Sequence, residues 1–289
     1  MGHKTAESQK GCAVIEMKKW IEKDNYGDLT ISSNGRQALT HLLSDIQRPN
    51  TERITEKDLM DLPEVVKRYL RNSGVLNKHR YQVVRLKQKG EMRRSPSDKW
   101  IPLRAVEYYT TNPPGFVWFG SADFSPIIKA KALDSYIQGN GNMLVKVASF
   151  FTMFDQKGEA MDRACLMRYL NEMTWFPTAF LNDFITWEQI DSRSAIVKIA
   201  DRGMEAEATM YFDDLGNLVD FVADRPRMEG KELVTRRWRT PIKENGPMAG
   251  LNLPLAGEAV WLLDTGDFSY IRLRIFDIEF DPPSITGRE

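Results

Sequence analysis

Hydrophobic residues in the N-terminal part of the chain recur with a helical period. Residues 12–23 and 36–47 each predict an amphipathic helix, and a longer apolar stripe follows them. A capping-box spacing begins at Thr55, and Gly74 is a typical C-terminal stop. Because Pro63 lies within the stripe, we expect a separate helix to begin there.

From about residue 80 the apolar positions alternate with a period of two, which predicts strands. The alternating segments are VRLKQKGEM, LRAVEYYTT, GFVWFGSADF and IIKAKALDSYIQG, with GNGN as a hairpin turn into MLVKVASFF. The period becomes helical again over residues 159–175. Pro177 is expected to end this helix because it moves Phe176 out of the helical conformation.

A second run of strands follows the helix. ITWEQID and SAIVKIAD predict a hairpin, and GMEAEATMYFDD has the clearest alternation in the chain. LVDFVADR comes next, and further strands are expected at 234–240, 257–263 and 269–280, with NGP and DTGD as turns. Roughly ten short strands with no crossover helices predict a strongly curved antiparallel sheet, a half-barrel of the α+β class.

These patterns predict a simple domain organisation. Residues 1–54 form an N-terminal helical extension, and residues 55–285 form one curved β domain with a helical insertion at 159–181.

Composition narrows the possible functions. The forty basic and forty acidic residues cancel, which argues against a nucleic-acid partner. Two cysteines and three histidines provide little for a metal centre or a histidine-based triad, so we expect neither a metal nor a cofactor. No apolar run is long enough to span a bilayer or to act as a signal peptide, so we predict a soluble, cytoplasmic protein.

Six blocks occur together in a fixed order between about residues 60 and 281. They are DLPEVVKRYLRNSGV, EYYTTNPPGFVWFGSADFSP, DSYIQGNGNMLVKV, RYLNEMTWFPTAFL, YFDDLGNLVDFVADR and GEAVWLLDTGDFSYIRLRIFDIEFD. In this respect the chain resembles a family of uncharacterised prokaryotic proteins. The resemblance implies no activity and no catalytic residues.

The order of the elements has a second, weaker likeness. A meander, a helical insertion and a second meander are similar to the lipoprotein-localisation fold, in which a half-open antiparallel barrel closed by helices holds acyl chains. This likeness implies a binding site for an apolar or lipid-like molecule between the concave sheet and the inserted helix.

Aromatic residues at the end of the inserted helix are candidates for such a site. They would lie over the concave face and line a cavity together with other apolar side chains, although the same residues could simply fill a core. The candidate cavity residues are Trp118, Phe119, Tyr136, Trp175, Phe176, Phe180, Met210, Phe212 and Trp261.

Three charged residues are candidates for contacts with a ligand head group. Arg168 and Glu172 have i, i+4 spacing, which is typical of an ion pair on a solvated helix face, or else they lie at the cavity mouth. Strand alternation places Asp134 on an apolar face, where it must be either a partner for an arginine or an anchor in the pocket. Glu107 or Asp162 could supply a second carboxylate.

The segment TRRWR at 235–239 is the one local hint of anion contact. Its arginines are more simply explained as the charges that protect a solvated edge strand.

Three functions are compatible with the sequence. The first is non-catalytic binding of an apolar or lipid-like small molecule. The second is hydrolysis by carboxylates at the cavity mouth, and the third is protein association through the N-terminal helices. The sequence does not determine the oligomeric state.

Overall fold

The computed structural model describes residues 33–44, 46, 52–125, 128–147, 151–229 and 232–282. Its helices are α1 (Ser33–Leu43), α2 (Glu64–Ser73) and α3 (Glu159–Glu172), with short 3-10 helices at Glu56–Leu59, Met173–Trp175 and Pro177–Leu181. Its strands are β1 (Val83–Met92), β2 (Ile101–Thr111), β3 (Pro114–Asp123), β4 (Lys129–Ile137), β5 (Asn140–Val147), β6 (Phe151–Lys157), β7 (Ile185–Gln189), β8 (Ser194–Asp201), β9 (Met204–Phe212), β10 (Leu218–Glu229), β11 (Glu232–Arg239), β12 (Ile242–Met248), β13 (Leu251–Leu263) and β14 (Gly266–Phe280).

All fourteen strands belong to one antiparallel sheet. Thirteen follow the order β6-β5-β4-β3-β2-β1-β14-β13-β11-β10-β9-β8-β7, and β12 pairs with β13 beside this path. The chain therefore builds two meanders, which join where β1 pairs with β14. The sheet is a strongly curved half-barrel, which confirms the predicted fold class.

The concave face of the sheet holds the main core. Helix α3 contacts β4 and β5 of the first meander and β8, β9 and β10 of the second, so it lies inside the curve. Helix α2 packs beside it on β8 and β13. The core cluster joins apolar side chains from both meanders and both helices. The inserted helix thus fills part of the trough that the strands form.

Local sequence signals set the ends of these helices. The Thr55–Asp58 capping box is formed, and α2 begins directly after Pro63. Gly74 ends α2 in the left-handed region, with φ of 77°, which glycine adopts without steric cost. Phe176 has φ of −137° and ψ of 65°, so the chain leaves helical geometry just before Pro177, as predicted.

Helix α1 covers part of the outer, convex face. Leu39 and Leu42 pack on side chains that alternate with the inward-facing ones of β2, β3 and β4. Leu42 also lies so close to Gly115 that a Cβ there would be 2.7 Å from its Cδ1 atom. Phe119 belongs to this outer cluster, so its predicted place in the cavity is wrong.

The sheet contains more strands than the sequence pattern predicted. Roughly ten strands were expected, whereas the described residues contain fourteen. The sequence pattern did not separate β6 from its neighbour. The NGP segment lies within β12 and is not a turn, because the chain reverses at Ala249 and Gly250, both with positive φ.

The structure corrects the prediction for residues 235–239 but does not test the predictions for the N-terminal residues. The prediction that TRRWR lies in an edge strand is wrong, because β11 pairs with β10 on one side and with β13 on the other. The predicted helix at 12–23 lies outside the described residues, and the division into residues 1–54 and 55–285 stays a prediction.

Candidate functional site

A buried cluster of charged side chains fixes α3 to the concave face. Arg168 Nη2 donates a hydrogen bond of 2.8 Å to Glu107 on β2, and Nη1 donates to Asp134 on β4. Its Nε donates to Glu172 on α3 itself, over 2.7 Å. One guanidinium therefore contacts three carboxyl groups on three elements, which a planar group with five donors can do.

Aromatic rings enclose the other sides of this guanidinium. Its Cζ atom lies 4.8 Å from the ring centroid of Phe116 and 5.2 Å from that of Trp118. The Trp118 indole occupies the space above Gly120, where an added Cβ would be 2.0 Å from the ring. The missing side chain at Gly120, two residues after Trp118 on β3, thus leaves room for the indole beside Arg168.

Neutral polar groups complete the cluster. Trp118 Nε1 donates to Gln88 Oε1 over 3.1 Å, and Gln88 Nε2 in turn donates to Glu107 Oε2 over 3.2 Å. On the other side, the Tyr109 hydroxyl donates to Glu172 Oε2 over 3.2 Å. The indole therefore orients the amide of Gln88 toward the carboxyl group of Glu107.

The three carboxyl groups outnumber the single arginine, and burial disfavours the charged forms of Glu107 and Glu172. Burial raises the pKa of Glu107 well above its usual value, and the nearby Glu172 raises it further, while Arg168 acts in the opposite direction. Burial also raises the pKa of Glu172, but by less, since Arg168 offsets it. Of the two glutamates, Glu107 therefore has the stronger tendency to hold a proton.

Arg168, Glu172 and Asp134 lie together in the interior of the half-barrel. The solvated helix face predicted for the Arg168–Glu172 pair is wrong, because only 19% of the Arg168 side chain and 8% of that of Glu172 are exposed. Asp134 is the arginine partner that its place on an apolar face suggested. A role for these three residues in ligand binding stays a prediction.

Other candidate groups have structural contacts. Cys165 lies 3.6 Å from Asp134, and burial raises the pKa of its thiol. Asp162 accepts a hydrogen bond from the backbone N–H of Gly141 in the β4–β5 hairpin. Glu107 has no exposed surface, so water cannot reach it in this conformation. Acid–base hydrolysis needs such access.

Most of the predicted cavity residues lie in the solid core. Tyr136, Phe176 and Met210 have no exposed surface, and Phe180 and Phe212 have almost none. Trp175 is half-buried and donates its Nε1–H to the carbonyl of Pro254. A ligand could touch the buried residues only if α3 moved, and their role in binding stays a prediction.

A different part of the concave face is open. Trp118 borders it with 8% exposure, and Trp261 is half-buried within it. Further half-buried apolar side chains pack against the same core and continue the surface across β1, β2, β4 and β14; they are Met92, Ile101, Ala132, Ile271 and Leu273. We call this surface the open trough.

Strand register shows that the open trough is continuous. Met92 is paired with both Ile101 and Ile271. Ile271 is paired with Ala259 on β13, two residues before Trp261, which is paired with Trp238 on β11. Sequence reasoning identified only Trp261 and the bordering Trp118, although the alternation of IRLRIFDIEF and of VRLKQKGEM contains the signal for β14 and β1.

A groove of about 720 Å³ lies over β1, β2, β13 and β14. Most of its charged side chains face away from the concave side and neutralise one another. The pairs are Arg104 with Asp123, Lys243 with Glu258 and Arg272 with Glu91. This groove therefore offers little uncompensated charge to a ligand.

Two features are absent from the described residues. No helix in them is both long and apolar enough to cross a membrane. The same residues contain no group of three or more His, Cys, Asp or Glu side chains arranged to hold a metal ion.

A model of a family of unknown function matches residues 52–273. This chain belongs to that family, DUF6544. The match covers the described residues from the 3-10 helix before α2 to the middle of β14, and so includes α3, the charged cluster and the open trough. Among curated proteins, none matches the sequence.

Two solved structures are similar to this chain. One is a domain from Vibrio parahaemolyticus described as an outer membrane lipoprotein-sorting protein, with 8% identity, a TM-score of 0.42 and coverage of 75% of this chain and 91% of that one. The other is a porin-like protein from Bacteroides uniformis, with 10% identity, a TM-score of 0.24 and coverage of 70% and 98%.

Proposed function

We propose that this DUF6544 protein binds an elongated apolar or lipid-like molecule in the open trough, without chemical change to the ligand. The observation that carries the proposal is the continuous row of half-buried apolar side chains from Met92 through Ile271 to Trp261. A contiguous apolar surface on a concave face is typical of a ligand site. Burying it would stabilise a complex by about 25 cal/mol per Å² of apolar surface.

The packed half of the trough supports the proposal in a different way. Helix α3 and its charged cluster hold one side of the trough rigid, so a ligand needs no large rearrangement to reach the open side. A preformed site avoids the entropic cost of ordering the protein on binding.

Blocking the trough tests this function. Ala132 faces the trough, and Lys131 is its neighbour on the opposite face of β4. We expect native mass spectrometry to detect a bound lipid, and intrinsic tryptophan fluorescence to report binding of dodecanol, in wild type and in Lys131→Trp. Ala132→Trp should lose both signals because the added indole occupies the trough.

The two variants carry the same bulky side chain, so Lys131→Trp controls for its effect on strand β4. Circular dichroism confirms that each variant is folded. Dodecanol binding that is equal in both variants, or undetectable in wild type, would contradict the proposal.

A further inference from the structure

Arginine side chains lie over the tryptophans at one end of the open trough. Arg225 Cζ is 4.5 Å from the ring centroid of Trp238, and Arg227 Cζ is 5.5 Å from that of Trp261. The two tryptophans are direct register partners on β11 and β13. Both guanidinium groups therefore lie on the same side of the sheet as the apolar surface of the trough.

Arg225 differs from Arg227 and Arg168, because the described residues provide no carboxylate within ion-pair distance of it. Arg227 is 3.4 Å from Glu229, and Arg168 has three acidic neighbours. Arg225 Nη2 donates only to the backbone carbonyl of Ala164 on α3, over 3.2 Å. Its Nε–H is buried and has no hydrogen-bond partner in the described structure.

Arg225 is half-buried, but its Nε–H is fully buried. An unsatisfied buried donor on a cation is costly, and an anion is the group that would satisfy it. The Trp238 ring lies under the face of the Arg225 guanidinium, so a ligand would meet its N–H donors at the edge of the guanidinium plane. That edge matches the two oxygens of a carboxylate, which can accept parallel hydrogen bonds from it. Because one guanidinium is uncompensated, the best complement is a single negative charge.

We propose that the ligand of the open trough is a long-chain carboxylate. Arg225 binds its head group, and its chain runs from Trp238 past Trp261 toward Ile271. This inference rests on the proposed function, to which it adds the chemical class of the ligand. Arg227, already paired with Glu229, adds positive potential near the head group without being its main partner.

A comparison of laurate with dodecanol tests this assignment, because the two probes have the same chain and differ in the head group. Binding is measured by intrinsic tryptophan fluorescence at constant ionic strength. We expect wild type to bind laurate roughly tenfold more tightly than dodecanol, as a charge-assisted hydrogen bond provides. Arg225→Gln should bind both probes equally while keeping the wild-type affinity for dodecanol.

Arg237→Gln is the matched control. Arg237 is paired with Asp224 across β10 and β11. Asp224 precedes Arg225 in the chain, so this pair lies on the opposite face of the sheet. This variant removes the same charge and should keep the preference for laurate. If Arg225→Gln does not fold, Arg225→Lys keeps the charge but loses the planar pair of donors, and we expect its preference to be reduced several-fold.

The outcomes separate this inference from the function on which it rests. Equal binding of laurate and dodecanol by wild type, or an unchanged preference in Arg225→Gln, would overturn the assignment and leave apolar binding intact. Failure of both probes to bind would overturn both proposals. Acetate that competes as well as laurate would show an isolated anion site, and would also overturn the assignment.

Discussion

Arg168 Nε and Glu172 Oε1 are 2.7 Å apart in the interior of the half-barrel. The same i, i+4 spacing usually describes a weak surface pair. Here the side chains are covered by the sheet, and two further carboxyl groups from β2 and β4 complete the cluster. The contact between α3 and the first meander therefore depends on Arg168.

Replacement of Arg168 should strongly destabilise the fold. Arg168→Met leaves three carboxyl groups buried without their cation, and we expect the free energy of unfolding to fall by about 3–5 kcal/mol. Urea denaturation measures the change. Arg163→Met is the control on the same helix, since its pair with Glu159 is exposed and contributes about 1 kcal/mol at most. Similar losses in the two variants would show that Arg168 is not the main anchor of α3.

The raised pKa of Glu107 predicts a pH dependence of stability. Its folded pKa lies above its unfolded value of about 4.3, so the folded state binds the proton more tightly. The protonated Glu107 therefore contributes fully to the free energy of unfolding below its unfolded pKa, and this contribution is lost as pH rises through its folded pKa. Glu107→Gln cannot lose a proton, so we expect its stability relative to wild type to increase with rising pH.

Urea denaturation of both proteins over a series of pH values tests this expectation. Glu64→Gln is a suitable control because Glu64 is exposed on α2 and is paired only with Lys67. Parallel stability profiles for wild type and Glu107→Gln would mean that folding does not raise the pKa of Glu107.

Gly120 should not tolerate a side chain. In Gly120→Ala the new methyl group would lie 2.0 Å from the Trp118 ring, which must then move away from Arg168 and Gln88. We expect a loss of about 1–3 kcal/mol, as for other overpacked cores, together with a changed near-ultraviolet circular dichroism signal. Ser121→Ala, at the next position but on the opposite face of β3, should leave that signal unchanged.

The packing of α1 predicts that the N-terminal helix unfolds together with the sheet. Leu39 has no exposed surface, and its contacts are outer-face residues of β2–β4. Leu39→Ala should therefore lower the free energy of unfolding by about 2–5 kcal/mol, whereas Thr40→Ala on the exposed side of α1 should have little effect. A main unfolding transition unaffected by Leu39→Ala would instead support an independent N-terminal extension.

Alternation and turn residues were sufficient to predict the curved sheet. The clearest case is β9, where Met210 and Phe212 are buried and Tyr211 is exposed, as its pattern requires. Alternation failed at β12, because its half-exposed residues have no continuous apolar side and its glycine and proline resemble a turn.

The charged cluster could be predicted only in part. Asp134 on an apolar strand face signalled a buried partner, and a nearby helix offered Arg168. The convergence of Glu107 with them depends on the register of β2, β3 and β4, which the sequence of one strand does not contain. The open trough was missed for the same reason, since its residues come from strands far apart in the chain.

Strands β6 and β7 end the sheet, and each pairs on one side only within the described residues. Their outer backbone groups can therefore accept a strand from another molecule. The tendency to pair with another molecule is greater on β6 because Met153 is 57% exposed. Asp155 and Lys157 on the same strand reduce this tendency, since their charges oppose close stacking of copies. At high protein concentration, self-association by intermolecular strand pairing should thus begin at β6.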